Sequence, residues 1–416
     1  MHLFEFRIRE IPVHRPNSAG LTSHDGDRRD QFVDGWRGLF HLILMVDHLP
    51  FLLPAASMAF SQWFEPLGYV SVAEGFVFLS GFVSGLVYTR VLRGHGCQAV
   101  WRKVFKRILT IYACYVSAVV LLVAVAKSCG PCSIQWGAWQ NLLDMPLMVA
   151  ALKVALLVYQ PNFLEILPMY CLFLLSVPVA IRELEKGRYL TIARISILIW
   201  LAAQLGIRSA LVGILSPWVT LQTGYFNAFG WQIVFVLGLL CGHKTFACPV
   251  AWLPANWKWT TYAYILFLLL FSLRHQVLPV TVWQPLVDRS SLGPLRFLDF
   301  TCVAFLVSSL RDPLQKFITW PVLTFLSKHS LQVFAFHLFP IYLTALALSG
   351  AATYSLPGQW LVTLGLAGAA PLSLLGQSLV MAFCLASLCL IAVLAKNLKA
   401  FYKAFLARCR NRRGFI

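Results

Sequence analysis

The sequence predicts an all-α integral membrane protein that folds as one polytopic helical bundle. Of its 416 residues, 59% are hydrophobic and only 12% are charged, whereas a soluble domain carries about 25% charged residues. The mean hydropathy is +0.73. One soluble core could not bury this much apolar surface, so the composition excludes a soluble enzyme, a disordered chain and a secreted disulfide scaffold.

Ten apolar runs approach the length that crosses a bilayer, which is about 20 residues. They cover residues 36–53, 69–92, 108–126, 164–181, 190–208, 229–243, 259–274, 297–310, 322–346 and 372–396. An even number of spans places both termini on the same side of the membrane. The spans predict a chain made of a polar lead (1–35), one membrane domain (36–396) and a basic tail (397–416).

The basic residues indicate which side the termini occupy. They concentrate in the lead, in the 90–107 and 182–188 loops and in the tail, and they are few in the alternate loops. By the positive-inside rule, both termini are cytoplasmic, as in a multi-pass protein of a bacterial inner membrane. The net charge of +18 then reflects topology and contact with anionic lipids rather than nucleic acid, because no basic groove with stacking aromatics occurs.

Two cysteines have the spacing of a redox site. Cys129-Gly-Pro-Cys132 copies the thioredoxin spacing, but no βαβ pattern surrounds it. A structural disulfide or two idle thiols is therefore favoured over redox catalysis. The histidines are dispersed, so no metal site is predicted.

The first span carries the densest set of ionisable residues. At about 100° per residue, Asp34, Arg37, His41 and His48 form one stripe of the helix, whereas Asp47 points elsewhere. Ionisable groups at membrane depth are costly, which favours a functional role. The alternative is that these groups only satisfy one another inside the bundle.

Two further spans contribute candidates. Glu74, near the outer end of the second span, could meet His48 and orient its imidazole. His337 reaches the outer half of the ninth span and could share a site with His48. For both residues the alternative is a buried, hydrogen-bonded side chain with a structural role.

A cationic strip follows the second span. It contains Arg102, Lys106 and Arg107 beside Trp101 and Phe105. Such a strip suits a phosphorylated donor such as a nucleotide thioester. It could equally set topology or touch lipid headgroups.

These motifs are similar to those of a known family. Asp34-Gly35-Trp36-Arg37-Gly38 followed by His48 resembles the Asp-x-x-Arg-Gly opening and Arg-x10-His spacing of the membrane acyltransferase-3 superfamily, and 76–82 resembles its Phe-Phe-x-x-Ser-Gly element. Within that superfamily the chain resembles the OpgC family, succinyltransferases of osmoregulated periplasmic glucans. The 167–170 and 227–238 segments carry that likeness, which runs from about residue 28 to 345.

The resemblance implies acyl transfer across the membrane with no bound cofactor. The donor would be a cytoplasmic acyl-CoA, with succinyl-CoA favoured, and the acceptor a hydroxyl of a periplasmic carbohydrate. His48 would be the general base or carry the acyl group itself. Glu74, or more remotely Asp34, would orient the ring. Arg37 would hold donor phosphate or carboxylate, while the strip would hold the nucleotide end.

Two other classes of protein compete with this hypothesis. A transporter or flippase for an envelope glycan or a lipid-linked sugar would also bury polar groups, although it usually shows inverted repeats, and none is apparent here. A sensor or scaffold without chemistry would leave the stripe from Arg37 to His48 unexplained.

Overall fold

The computed structural model describes residues 30–52, 67–128, 138–218, 221–247, 257–278, 280–350 and 374–413. In these segments the chain is helical. The helices are α1 (Gln31–Leu52), α2 (Val72–Ser128), α3 (Ala138–Asp144), α4 (Leu147–Ala155), α5 (Ile166–Glu185), α6 (Tyr189–Gln204), α7 (Ile207–Leu215), α8 (Ala228–Ala247), α9 (Trp257–Arg274), α10 (Gln284–Val287), α11 (Pro294–Ser309), α12 (Arg311–Ile318), α13 (Pro321–Lys328), α14 (Ser330–Phe336), α15 (Leu338–Gly350) and α16 (Leu374–Arg413).

The described helices confirm an all-α protein with several membrane-spanning elements. Four are long and apolar enough to cross a membrane: Val72–Ser128, Ile166–Glu185, Ala228–Phe246 and Leu375–Tyr402. The pair α6 and α7, bent by 67°, makes a fifth if it counts as one span. Each of the ten predicted ranges falls on a helix or a chain of helices, but the number of crossings and the side of the termini stay predictions.

Helix α2 joins two predicted spans and the basic loop between them. It runs for 57 residues and departs from helical geometry at Gly96, with φ 75° and ψ 176°. Glycine tolerates this positive φ because it has no Cβ. The 90–107 segment, expected as a loop, is therefore helical on both sides of one break.

A seam of glycines holds α2 against α8. A Cβ added at Gly81 or Gly85 would overlap the backbone of α8, and one at Gly238 or Gly242 would overlap the backbone of α2. Close backbone approach through small residues is a common way to pack membrane helices. These glycines therefore form the contact surface between α2 and α8.

The ninth predicted span is broken into three helices. Residues 322–346 were expected as one helix, but the chain turns at His329 and at His337, between α13, α14 and α15. At the other end of the sequence, α16 continues from the last predicted span through the basic tail to Arg413. The lead up to residue 29 and the Cys129–Cys132 pair lie outside the described residues.

Candidate active site

Glycines bring α1 close to the end of α12 and to the broken ninth span, which is made of α13, α14 and α15. A Cβ at Gly35 would overlap the carbonyl oxygen of Ile318, and a Cβ at Gly38 would overlap that of Leu323. Only a residue without a side chain permits this approach. The polar stripe of α1 can therefore reach the polar groups of α13, α14 and α15.

The polar stripe of α1 pairs with residues of the ninth span in the same order along both segments. The pairs are Asp34 with Ser327, His41 with Ser330, and His48 with His337. The two elements therefore run in the same direction. The polar stripe predicted from helical periodicity is a contact surface as well as a candidate site.

His41 links α1 to the turn before α14. Its Nδ1 lies 2.6 Å from the carbonyl oxygen of Arg37, and its Nε2 lies 3.0 Å from the carbonyl oxygen and 3.3 Å from the hydroxyl of Ser330. A neutral ring that donates from Nδ1 and accepts the Ser330 hydroxyl satisfies both nitrogens. Because the ring is 1% exposed, His41 holds the two elements together rather than facing a substrate.

The contact between His48 and His337 determines which nitrogen of each ring carries a proton. His337 Nδ1 lies 2.5 Å from the Phe334 carbonyl oxygen, which can only accept, so this nitrogen donates. The Nε2 of neutral His337 must then accept. It lies 2.8 Å from His48 Nδ1, which therefore donates. In neutral His48 this leaves Nε2 as an unprotonated acceptor.

His48 borders a large cavity with polar and apolar walls at its end of the bundle. The cavity measures about 1300 Å³, and the ionisable residues on its wall include Asp47, His48, Glu165, Arg274, Arg289 and Arg296. The Phe163 ring packs on His48 at 4.6 Å between centroids. A basic nitrogen beside a cavity of this size can act on a bound substrate.

Glu74 has a different partner from the one expected. Its Oε1 accepts a hydrogen bond from Arg296 Nε at 2.5 Å, and its Oε2 accepts from the backbone and hydroxyl of Ser71 at 3.0 and 2.5 Å. Glu74 is fully buried. The expected role of Glu74 in orienting His48 is therefore wrong, because His337 occupies Nδ1 of that ring.

Asp34 and Arg37 lie at the opposite end of α1 from His48. Asp34 is about 21 Å along the helix from His48, and Arg37 about 16 Å. Asp34 accepts a hydrogen bond from Ser327 at 2.9 Å, so the expectation that it orients the ring is also wrong. Arg37 is half-buried in the first part of the helix.

The cationic strip lies far from the cavity along α2. Arg102, Lys106 and Arg107 are exposed, and within the described residues none of them has an acidic partner. Val72 and Ala73, at the start of α2, line the cavity, and roughly 24 helical residues, or about 36 Å, separate them from the break at Gly96. That length exceeds a hydrocarbon core of about 30 Å.

Sequence reasoning missed several cavity residues. Asp47 was placed away from the site, yet it lines the cavity with His48. Glu165 and Arg289 were not selected, because a loop residue and a span end carry no local signal. Trp231, in the first turn of α8, is fully buried and donates its indole N–H to the Arg289 carbonyl at 3.0 Å.

The described residues contain no group of three or more His, Cys, Asp or Glu that could hold a metal ion. The site consists of imidazoles, carboxylates and guanidiniums around a cavity. These groups can move protons and bind polar or anionic substrates without a metal ion.

The fold and the site define a helical membrane protein with a large cavity that His48 borders. The family model described as "OpgC protein" matches residues 29–400. The chain therefore belongs to the OpgC family, as the motifs predicted, and this membership indicates a glucan-modifying acyltransferase. No curated protein and no solved structure matches the chain.

Proposed function

We propose that the protein is a multi-pass O-acyltransferase of the bacterial inner membrane. It moves an acyl group, with succinyl favoured, from a cytoplasmic acyl-CoA to a hydroxyl of a periplasmic or envelope glycan. The observation that carries this proposal is the hydrogen-bond chain from the Phe334 carbonyl through His337 to His48. That hydrogen-bond chain leaves Nε2 of His48, a residue on the cavity wall, as an unprotonated acceptor.

His48 would act as the general base. Its Nε2 takes the proton of the acceptor hydroxyl while the hydroxyl oxygen attacks the thioester carbonyl carbon. The tetrahedral intermediate then expels the CoA sulfur, which receives the proton back from the imidazolium. An ester forms, a thioester breaks, and free CoA leaves. The same Nε2 could instead carry the acyl group between two such steps.

Two neighbours would assist the base. His337 accepts the Nδ1 proton of His48 and so holds the ring while it is positively charged. Arg289 lines the same cavity. A guanidinium there suits the negative oxygen of the tetrahedral intermediate.

The donor would bind from the other side. Arg102, Lys106 and Arg107 form an exposed cationic surface without acidic partners among the described residues, as nucleotide phosphates require. Arg37, in the first part of α1, would hold a donor phosphate or carboxylate. The lipid bilayer and the carbohydrate acceptor would be the remaining partners.

The first test is mass spectrometry of periplasmic and envelope glycans from cells that make the wild-type protein or His48→Ala at matched membrane levels. We expect a succinyl mass increment that the variant lacks. His95→Ala is the control, because His95 is exposed in the basic segment. Equal glycan acylation in His48→Ala cells would refute the proposed chemistry.

A second measurement separates the enzyme from a transporter or flippase. Purified protein should bind succinyl-CoA and release CoA thiol only when an acceptor saccharide is present. A flippase has no use for a nucleotide thioester. Failure to bind any acyl-CoA, together with unchanged glycans, would favour transport.

A further inference from the structure

Glu165 is a buried acid on the cavity wall whose bonding is incomplete. The residue is 4% exposed and lines the cavity. Its Oε2 is buried, and no hydrogen-bond donor of the described residues reaches it. A buried carboxylate oxygen without a donor is costly, so such a group in a native fold calls for an explanation.

Helix capping does not explain Glu165. It stands at the N-cap position of α5, but its side chain makes no capping hydrogen bond to the helix. Backbone N–H groups at Phe163, Glu165 and Tyr225 lie near the carboxyl group. Arg289 and Arg208 interact with it electrostatically. None of these neighbours donates a hydrogen bond to Oε2.

The chain holds this carboxylate firmly in place. A Cβ at Gly224 would overlap the Glu165 side chain, so the 223–225 loop packs directly on it. Arg208 fastens that loop by donating to Thr223 Oγ1 at 2.6 Å and to the Tyr225 carbonyl at 3.0 Å. The loop cannot move away without breaking these bonds. A preorganised acceptor of this kind suits a ligand that brings its own donor.

The surroundings indicate a neutral ligand rich in hydroxyls. Phe163, two residues before Glu165, has φ 73°, an uncommon conformation for a non-glycine residue. Its ring packs against His48 at 4.6 Å. Tyr225 and Phe226 line the same cavity. Apolar ring faces beside a carboxylate that accepts hydrogen bonds match the alternating C–H and O–H surface of a sugar.

We infer that Glu165 binds the carbohydrate acceptor: a sugar hydroxyl donates to its carboxylate and so places a neighbouring hydroxyl at Nε2 of His48. This inference rests on the proposed function and deepens it, because it assigns the acceptor subsite. Phe163 joins the two residues, packing on His48 and lying two positions before Glu165. The role of Glu165 is to bind the acceptor, and it takes no part in proton transfer.

The test measures binding of a six-unit glucose oligosaccharide by isothermal titration calorimetry, with no donor present. Replacing Glu165 by methionine removes the acceptor oxygens at similar volume. We expect Glu165→Met to weaken oligosaccharide binding about 10- to 150-fold, the range for a hydrogen bond to a charged group. Glu165→Gln keeps one acceptor oxygen and should lose less. Binding of succinyl-CoA should not change in either variant.

Glu183→Met is the matched control, since Glu183 binds Lys186 and Arg188 at the far end of α5. Thermal unfolding supplies a readout that a structural role would move: removing a buried unsatisfied acid should leave the melting temperature unchanged or raise it. Wild-type affinity in Glu165→Met, equal loss of saccharide and succinyl-CoA binding, or no saccharide binding by the wild-type protein would each overturn the inference. If Glu165→Met does not fold, wild-type affinity in Glu165→Gln together with a lowered melting temperature would overturn it as well.

The inference and the proposed function can fail separately. Unchanged glycan acylation in His48→Ala cells would refute the chemistry while saccharide binding through Glu165 survived. Conversely, acylation that depends on His48 with saccharide binding indifferent to Glu165 would leave the enzyme standing and place the acceptor elsewhere in the cavity.

Discussion

Replacing His337 by leucine tests the hydrogen-bond chain that prepares His48. In the structure His337 accepts the Nδ1 proton of His48 at 2.8 Å and donates to the Phe334 carbonyl at 2.5 Å. In the transition state His48 becomes an imidazolium, and His337 then accepts from a charged donor. A hydrogen bond to a charged group contributes about 1.5–3 kcal/mol. That corresponds to roughly a 10- to 150-fold loss in kcat.

The assay is CoA thiol release by purified protein with succinyl-CoA and a glucose oligosaccharide. We expect His337→Leu to lower kcat with little change in either KM, because His337 touches His48 and not the substrates. His337→Gln should recover part of the rate, since an amide can donate to the Phe334 carbonyl and accept from His48. The melting temperature of each variant monitors folding.

The double variant decides whether His337 acts through His48. His48→Ala should lower kcat about 10²- to 10⁴-fold, which is the usual contribution of a general base. Adding His337→Leu to it should cost nothing more, because the proton acceptor is already gone. A further loss of the full single-variant factor would refute the reasoning and make His337 an independent contributor.

Two predictions concern stability and are measured by thermal unfolding of the purified protein. Gly38→Ala should lower the free energy of unfolding by about 1–3 kcal/mol, because its Cβ overlaps a facing carbonyl. Gly94→Ala, which faces open space, should lower it little. Equal melting temperatures for the two variants would contradict the close approach. Arg296→Met should lower the free energy of unfolding by about 3–5 kcal/mol, because it removes the guanidinium that pairs with the buried Glu74. Arg311→Met, which breaks an exposed ion pair, should lower it by less than about 1 kcal/mol. A small effect for Arg296 would mean that the buried pair contributes little.

Much of the architecture was predictable because it depends on local composition. Long apolar runs predict membrane helices whatever they pack against, and the long described helices coincide with those runs, whereas the short helices α3, α4, α10 and α12 lie outside them. Helical periodicity also grouped Asp34, His41 and His48 on one face correctly. What periodicity could not provide was the break at His329, where φ is −115° and ψ is 21°, because no glycine or proline stands there to signal it. The turn at His337 does have a signal, since Pro340 lacks the N–H that would bond to the carbonyl four residues earlier.

The site residues also differ in whether the local sequence or the packing of the helices identifies them. His48 was found from the sequence, since an ionisable group deep in an apolar span is conspicuous by itself. Of its two predicted partners, His337 is confirmed as a neighbour, because its Nε2 lies 2.8 Å from Nδ1 of His48. The other, Glu74, was wrong: it was near enough in predicted depth, but depth along a helix does not tell which way the helix is rotated. In the structure Glu74 faces Arg296, and His48 faces His337.

The sequence by itself determined the class of protein, the family, the positions of the long apolar helices and the polar face of α1. The family follows from the resemblance of its motifs. The others follow from hydrophobicity and from a period of 3.6 residues, which are properties of one segment at a time. Only the tertiary structure decided which nitrogens join His48 to the ring of His337, 289 residues away, and that Glu165 and Arg289 line the cavity with His48. Such contacts depend on how closely glycines let two helices approach and on how each helix is rotated, and neither quantity is encoded in either helix alone.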